Sequence, residues 1–81
     1  MFEKEFYDRL TFGEVQILMN VRNGLITEVK VFTDALDTEF PTELEGLLKG
    51  RRYDGGDILD ALKRSGDERM EEIWGMIEST L

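Results

Sequence analysis

Leu10-Thr11-Phe12-Gly13-Glu14-Val15-Gln16-Ile17-Leu18-Met19-Asn20-Val21-Arg22 leads into Asn23-Gly24, and Leu25-Ile26-Thr27-Glu28-Val29-Lys30-Val31-Phe32-Thr33-Asp34 leads out of it. Val15, Ile17, Met19 and Val21 alternate with mostly polar neighbours, as Val29 and Val31 do with Glu28 and Lys30. A period of two sets each group on one face of a strand. Asn-Gly between two such runs signals a type I′ turn, whose central residues both need positive φ. The expectation is an antiparallel β-hairpin with one buried face. Its first strand runs from near Leu10 to about Arg22, its second from about Leu25 to Thr33. Gly13 inside the first strand marks a bulge or a close backbone approach. Phe32 falls on the face opposite Val29 and Val31, and Leu18 and Ile26 are similarly out of phase. These three either pack under a helix that wraps the sheet edge or form an apolar patch for a partner.

On the N-terminal side, Phe2, Phe6 and Tyr7 stand among charges. Phe2 and Phe6, four apart, suit a helical turn. They suit equally an aromatic lead-in on the sheet edge, which would add a third strand, or a surface docked on a preceding domain. On the C-terminal side, Thr33-Asp34 suits a turn or cap and Ala35 to Phe40 a connector. Pro41 fits a first helical turn, with Thr38 or Thr42 as the candidate cap. Leu44, Leu47 and Leu48 share one helix face, and Gly50 is a natural stop. Arg51-Arg52-Tyr53-Asp54-Gly55-Gly56 reads as a loop. Asp57 is the expected cap of a second helix with Ile58, Leu59 and Leu62 on its apolar face, ending at Ser65-Gly66. Asp67 is the expected cap of a third, where Glu68, Glu71 and Glu72 complement the positive helix start. Met70, Ile73, Trp74, Ile77 and Leu81 form its stripe. One hairpin and its lead-in followed by three helices is an α+β two-layer sandwich: a small antiparallel sheet packed against about three helices.

The chain has 81 residues, 41% of them hydrophobic, a length and composition that suit one domain spanning 1–81. No apolar run approaches a membrane span. Met1-Phe2-Glu3-Lys4-Glu5 lacks the basic start and apolar core of a signal peptide, so the default location is cytoplasmic. Cysteine and histidine are both absent. That removes disulfides, thiolate nucleophiles, the commonest general base and the commonest zinc ligands. No phosphate-cradling loop appears, since Gly55-Gly56 is followed by Asp57, which repels phosphate. The net charge of −8 speaks against nucleic acid. Its spread is uneven: residues 1–34 carry −2, 35–50 carry −3, 51–66 carry +1 and 67–81 carry −4. Arg51-Arg52 opens the one locally basic stretch, as a solvated loop or a contact for an acidic surface.

From about Phe6 to Leu62 this arrangement resembles the C-terminal accessory domain of lipoate–protein ligases. The resemblance rests on Phe12-Gly13 with Val15, on the Val21-Arg22-Asn23-Gly24-Leu25-Ile26 turn and on Val31-Phe32-Thr33-Asp34. It continues through Leu44, Leu47-Leu48, Gly50, Tyr53, Ile58 and Leu62, and fades after Ser65. None of these residues is catalytic in type, so the match is a signature of fold. The resemblance implies a non-catalytic part, fused to or encoded apart from a larger catalytic domain. That domain would bind lipoate, ATP and Mg²⁺, activate lipoate to lipoyl-AMP and transfer the lipoyl group to a lysine. This chain would support the activation and bind no cofactor itself. The family's fold also resembles the sulfur-acceptor and iron–sulfur scaffold proteins, whose chemistry needs the cysteine this chain lacks.

An accessory domain of this kind biases a conformational equilibrium by packing on its partner. The candidate contact residues are Phe32 and Asp34 at the strand end and Arg51, Arg52 and Tyr53 in the loop, because aromatics and arginines are enriched at interface hot spots. Two other functions compete. One is an acidic protein-binding adaptor or inhibitor, against which the mixed charge of 51–66 argues. The other is a small carboxylate enzyme using Asp54, Asp57 or Asp60, residues that capping and solvation explain better.

Overall fold

The computed structural model describes all 81 residues. Three antiparallel strands lie in the order β1-β2-β3: β1 Lys4–Leu10, β2 Gly13–Arg22 and β3 Leu25–Thr33. Asn23 and Gly24 take φ of 56° and 78°, the conformation the Asn-Gly signal demands. The lead-in is a strand, pairing Phe6 with Ile17 and Tyr7 with Gln16. The expected long first strand is corrected accordingly. It breaks at Thr11-Phe12, Leu10 closes β1, and β2 begins at Gly13, so a second hairpin precedes the first. Gly13 is the hinge of that turn. Its φ is 141°, and a Cβ there would lie 2.6 Å from the Asp34 Oδ1 atom. Asp34 comes so close because its carboxylate accepts the Glu14 N–H at 2.8 Å. Of the two roles expected for Gly13, close backbone approach is the one observed.

Ile26 requires a second correction. Asn20 pairs with Glu28 but Val21 with Ile26, which leaves Thr27 as an extra residue in β3. This bulge turns Ile26 inward, and it is completely buried. The Thr27 hydroxyl donates to the Asn20 carbonyl at 3.2 Å, a partner for a backbone oxygen at the irregularity. Leu18, with no bulge beside it, stays on the outer face and half-buried.

The helices are α1 Phe40–Leu48, α2 Gly55–Lys63 and α3 Arg69–Glu78. Pro41 sits in the first turn of α1, but neither threonine caps it. The Asp37 carboxylate accepts the Glu39 N–H just before the helix instead. For α2 the cap is Asp54, whose carboxylate accepts the Asp57 N–H at 3.2 Å; Asp57, the expected cap, stands inside the first turn. Asp67 accepts the Arg69 N–H at the start of α3, as a cap would.

All three helices cover one side of the sheet: α1 lies on β3, α3 on β1, and α2 bridges α1 and α3. The buried cluster joins Phe6, Val15, Ile17, Met19, Ile26, Val29 and Val31 of the sheet to the inner faces of the helices. No polar side chain is buried in it. Of the α3 stripe, Met70, Ile73 and Ile77 are buried, Trp74 is half-buried and Leu81 is exposed. Met76 joins the core as well.

Candidate protein-binding face

Because the helices occupy one side of the sheet, its other side is uncovered. The register sets Tyr7, Gln16 and Phe32 in one row across the three strands, and Glu5, Leu18 and Lys30 in the next. Tyr7 remains 58% exposed and Phe32 55%, large values for aromatic rings in a small domain with a sealed core. Together with Glu14 and Asp34 they line a shallow depression of about 260 Å³. Short polar contacts fix the surrounding side chains. The Tyr7 hydroxyl donates to Glu14, and the Gln16 amide donates to Glu5 at 2.7 Å. The hydrogen bond to Glu14 raises the Tyr7 pKa above the usual phenol value. Charges of both signs surround this aromatic centre, with Glu5, Glu14, Glu28 and Asp34 against Arg9, Arg22 and Lys30 on the same face.

A larger depression of about 490 Å³ lies between α2 and α3, lined by Leu59, Met70 and Trp74 with acidic residues at its rim. Its apolar side chains are buried or half-buried, whereas Tyr7 and Phe32 on the sheet are more than half exposed.

The end of the sheet nearest Phe32 is tied down by a side-chain hub. Arg69 at the start of α3 forks between Asp67 (2.6 Å) and Asp37 (3.0 Å). Its guanidinium lies 4.3 Å from the centroid of Phe40 and 5.7 Å from that of Phe12, two rings that meet edge-to-face at 5.3 Å. Beside it, the Thr11 N–H and hydroxyl both donate to Glu72. Three segments distant in sequence are thereby joined: the β1–β2 turn, the loop between β3 and α1, and the start of α3.

This hub carries a pH dependence. Hydrogen bonds from Arg69 hold Asp37 and Asp67 below the usual aspartate value of 3.8. The Thr11 hydroxyl does the same to Glu72, against a usual 4.5. A carboxyl whose folded pKa is depressed contributes stability that is complete above its unfolded value and is lost as pH falls through the folded one. The difference in urea midpoint between the wild type and Arg69→Met is therefore expected to be largest at about pH 6 and to shrink towards about pH 3. A difference independent of pH would contradict the account.

The five residues expected to make contacts fall into two separate places. Phe32 and Asp34 belong to the open face. Arg51, Arg52 and Tyr53 lie at the opposite end of β3, where Arg52 bridges Leu25. The two ends are roughly 23 Å apart along the strand. There the Ile26 N–H donates to the Arg51 carbonyl and the Tyr53 N–H to the Gly24 carbonyl, each at 2.7 Å, so this segment shields the sheet edge. Arg51 turns back onto the Leu47 carbonyl, and Lys4 lies over the Tyr53 ring at 5.1 Å. The acidic trio also has local partners. Asp54 caps α2, Asp57 accepts the Arg52 N–H and Asp60 pairs with Arg64 at 3.2 Å. Tyr7 and Gln16 were not among the expected contacts. With the lead-in assigned as a strand, its period of two places Tyr7 outward as soon as Phe6 points in.

The comparisons with known proteins agree with this architecture. Residues 1–80 match the family model described as the bacterial lipoate protein ligase C-terminus. No curated protein matches the chain. Among solved structures, the chain is similar to LipL1 of P. falciparum, a crystal structure in complex with lipoate, at 26% identity and a TM-score of 0.82. The match covers 95% of this chain and 24% of that one, so the chain spans about a quarter of the length of this solved relative. With a family model covering nearly every residue, the chain belongs to the bacterial lipoate protein ligase C-terminal family.

Proposed function

We propose that residues 1–81 form one accessory domain that docks on the catalytic part of a lipoate protein ligase, in cis or in trans, and supports its ATP-dependent conversion of lipoate to lipoyl-AMP. The observation that carries the proposal is the uncovered sheet face, with Tyr7 and Phe32 more than half exposed beside Asp34. A domain that seals its other face with three helices and leaves this one aromatic has a surface suited to a protein partner. The chain's own chemistry supports a non-catalytic part. Histidine and cysteine are absent, and Asp54, Asp57 and Asp60 are engaged in capping or pairing. Lipoate, ATP and Mg²⁺ would then be held by the larger partner. The region of LipL1 that resembles this chain is 24% of that protein, whose crystal structure is in complex with lipoate. Docking acts by favouring the partner conformation to which the domain binds better, and so needs no catalytic group from the domain.

The test is lipoyl-AMP formation from lipoate and ATP by a cognate catalytic domain, with and without this chain. Stimulation by the chain, which alone forms none, is expected. Unchanged formation together with no detectable binding would refute the proposal.

A further inference from the structure

The loop between β3 and α1 holds a residue that the fold does not use. Leu36 is 98% exposed, whereas the flanking Thr33 and Phe40 are half-buried and buried. A leucine in such a place is ordinarily free to fold back onto the domain, but here the loop is pinned on both sides. Before Leu36, the Thr33 hydroxyl donates to the Glu14 carbonyl at 2.7 Å and accepts the Ala35 N–H at 3.1 Å. Just after it, Asp37 accepts the Glu39 N–H and is gripped by Arg69, itself packed on Phe40. The loop is thus held in one shape with its only large apolar side chain directed at solvent.

The surroundings of Leu36 specify what would meet it. Asp34 and Glu39 are exposed on either side of it in the chain, Asp37 is paired with Arg69, and residues 34–39 contain no basic residue. Asp34 also borders the depression that holds Tyr7 and Phe32, so the loop is continuous with the open sheet face. An apolar projection flanked by carboxylates complements an apolar pocket with lysine or arginine at its rim.

We propose that Leu36 is the anchor of the docking surface, inserting into an apolar pocket with a basic rim on the ligase catalytic part. This rests on the docking function proposed above and adds its central contact. Presentation of the side chain in one held loop removes part of the ordering cost of binding.

The experiment is calorimetric titration of the 81-residue chain into a cognate catalytic domain, comparing wild type, Leu36→Ala and Leu36→Met, with thermal unfolding of each. Leu36→Ala is expected to weaken binding by roughly tenfold to a hundredfold and Leu36→Met to restore most of the affinity. Melting temperatures should be unchanged, since Leu36 touches no core. The wild-type affinity should fall with added salt, as a basic rim requires. Wild type and Leu36→Ala binding equally would overturn the anchor and leave the docking function standing. A catalytic domain that binds neither would overturn both.

Discussion

Phe40→Ala is expected to cost about 3–5 kcal/mol, the range for removing a fully buried aromatic side chain from a packed core. Phe40 is 1% exposed and opens α1, and its ring is the common surface on which Phe12 and Arg69 rest. Its removal leaves a cavity and takes away the apolar platform under the guanidinium that joins Asp37 to Asp67. The loss should therefore reach beyond transfer free energy to the ordering of the β3–α1 loop and the start of α3. A chain of 81 residues has a total stability of only about 4–12 kcal/mol. Much of it would be gone, and a substantial unfolded fraction is expected at 37 °C. Urea denaturation followed by far-ultraviolet circular dichroism measures this directly. A loss below about 1 kcal/mol would show that Phe40 is not the platform of the hub.

Phe32→Asp should have the opposite profile: little change in stability and a large loss of partner binding. Phe32 is 55% exposed on the outer face, so the folded chain loses little packing when it is replaced. At the centre of an interface, however, the substitution removes an aromatic contact and buries a carboxylate without a partner. Each is costly, and together they should weaken binding to the catalytic domain by roughly a hundredfold or more. Lipoyl-AMP formation supported by the chain should fall in parallel. Comparison with Phe32→Tyr separates lost apolar area from added charge, since a ring at this position retains most of the contact. Full affinity in Phe32→Asp would move the interface off the sheet.

What could be inferred from sequence followed what repeats locally. Asn23-Gly24 and the alternation on either side were legible because turn chemistry and a period of two are properties of neighbours. The helix stripes of Leu44, Leu48, Ile58, Leu62, Met70, Ile73 and Ile77 were legible for the same reason. Lys4–Leu10 was ambiguous because its sequence lacks β-branched residues and Phe2 with Phe6 mimics a helical spacing. Ile26 was assigned to the wrong face because the extra residue at Thr27 breaks the period without any local mark. Among the site residues, Phe32 could be placed on the outer face from the register alone. Arg52 and Tyr53 could not be excluded from its neighbourhood, since only the tertiary fold sends that segment to the far end of β3. Arg69 and Leu36 were invisible for a related reason. One draws its partners from positions 12, 37, 40 and 67, and the other is distinguished only by being left exposed.

The most direct test of docking through the open sheet face is amide and side-chain chemical-shift mapping of the isotope-labelled chain as unlabelled catalytic domain is added. Perturbations concentrated at Tyr7, Gln16, Leu18, Phe32, Asp34 and Leu36, with Arg52, Leu59 and Trp74 unaffected, are the expected result. Perturbations confined to the Arg51–Tyr53 segment or to the α2–α3 groove would contradict it.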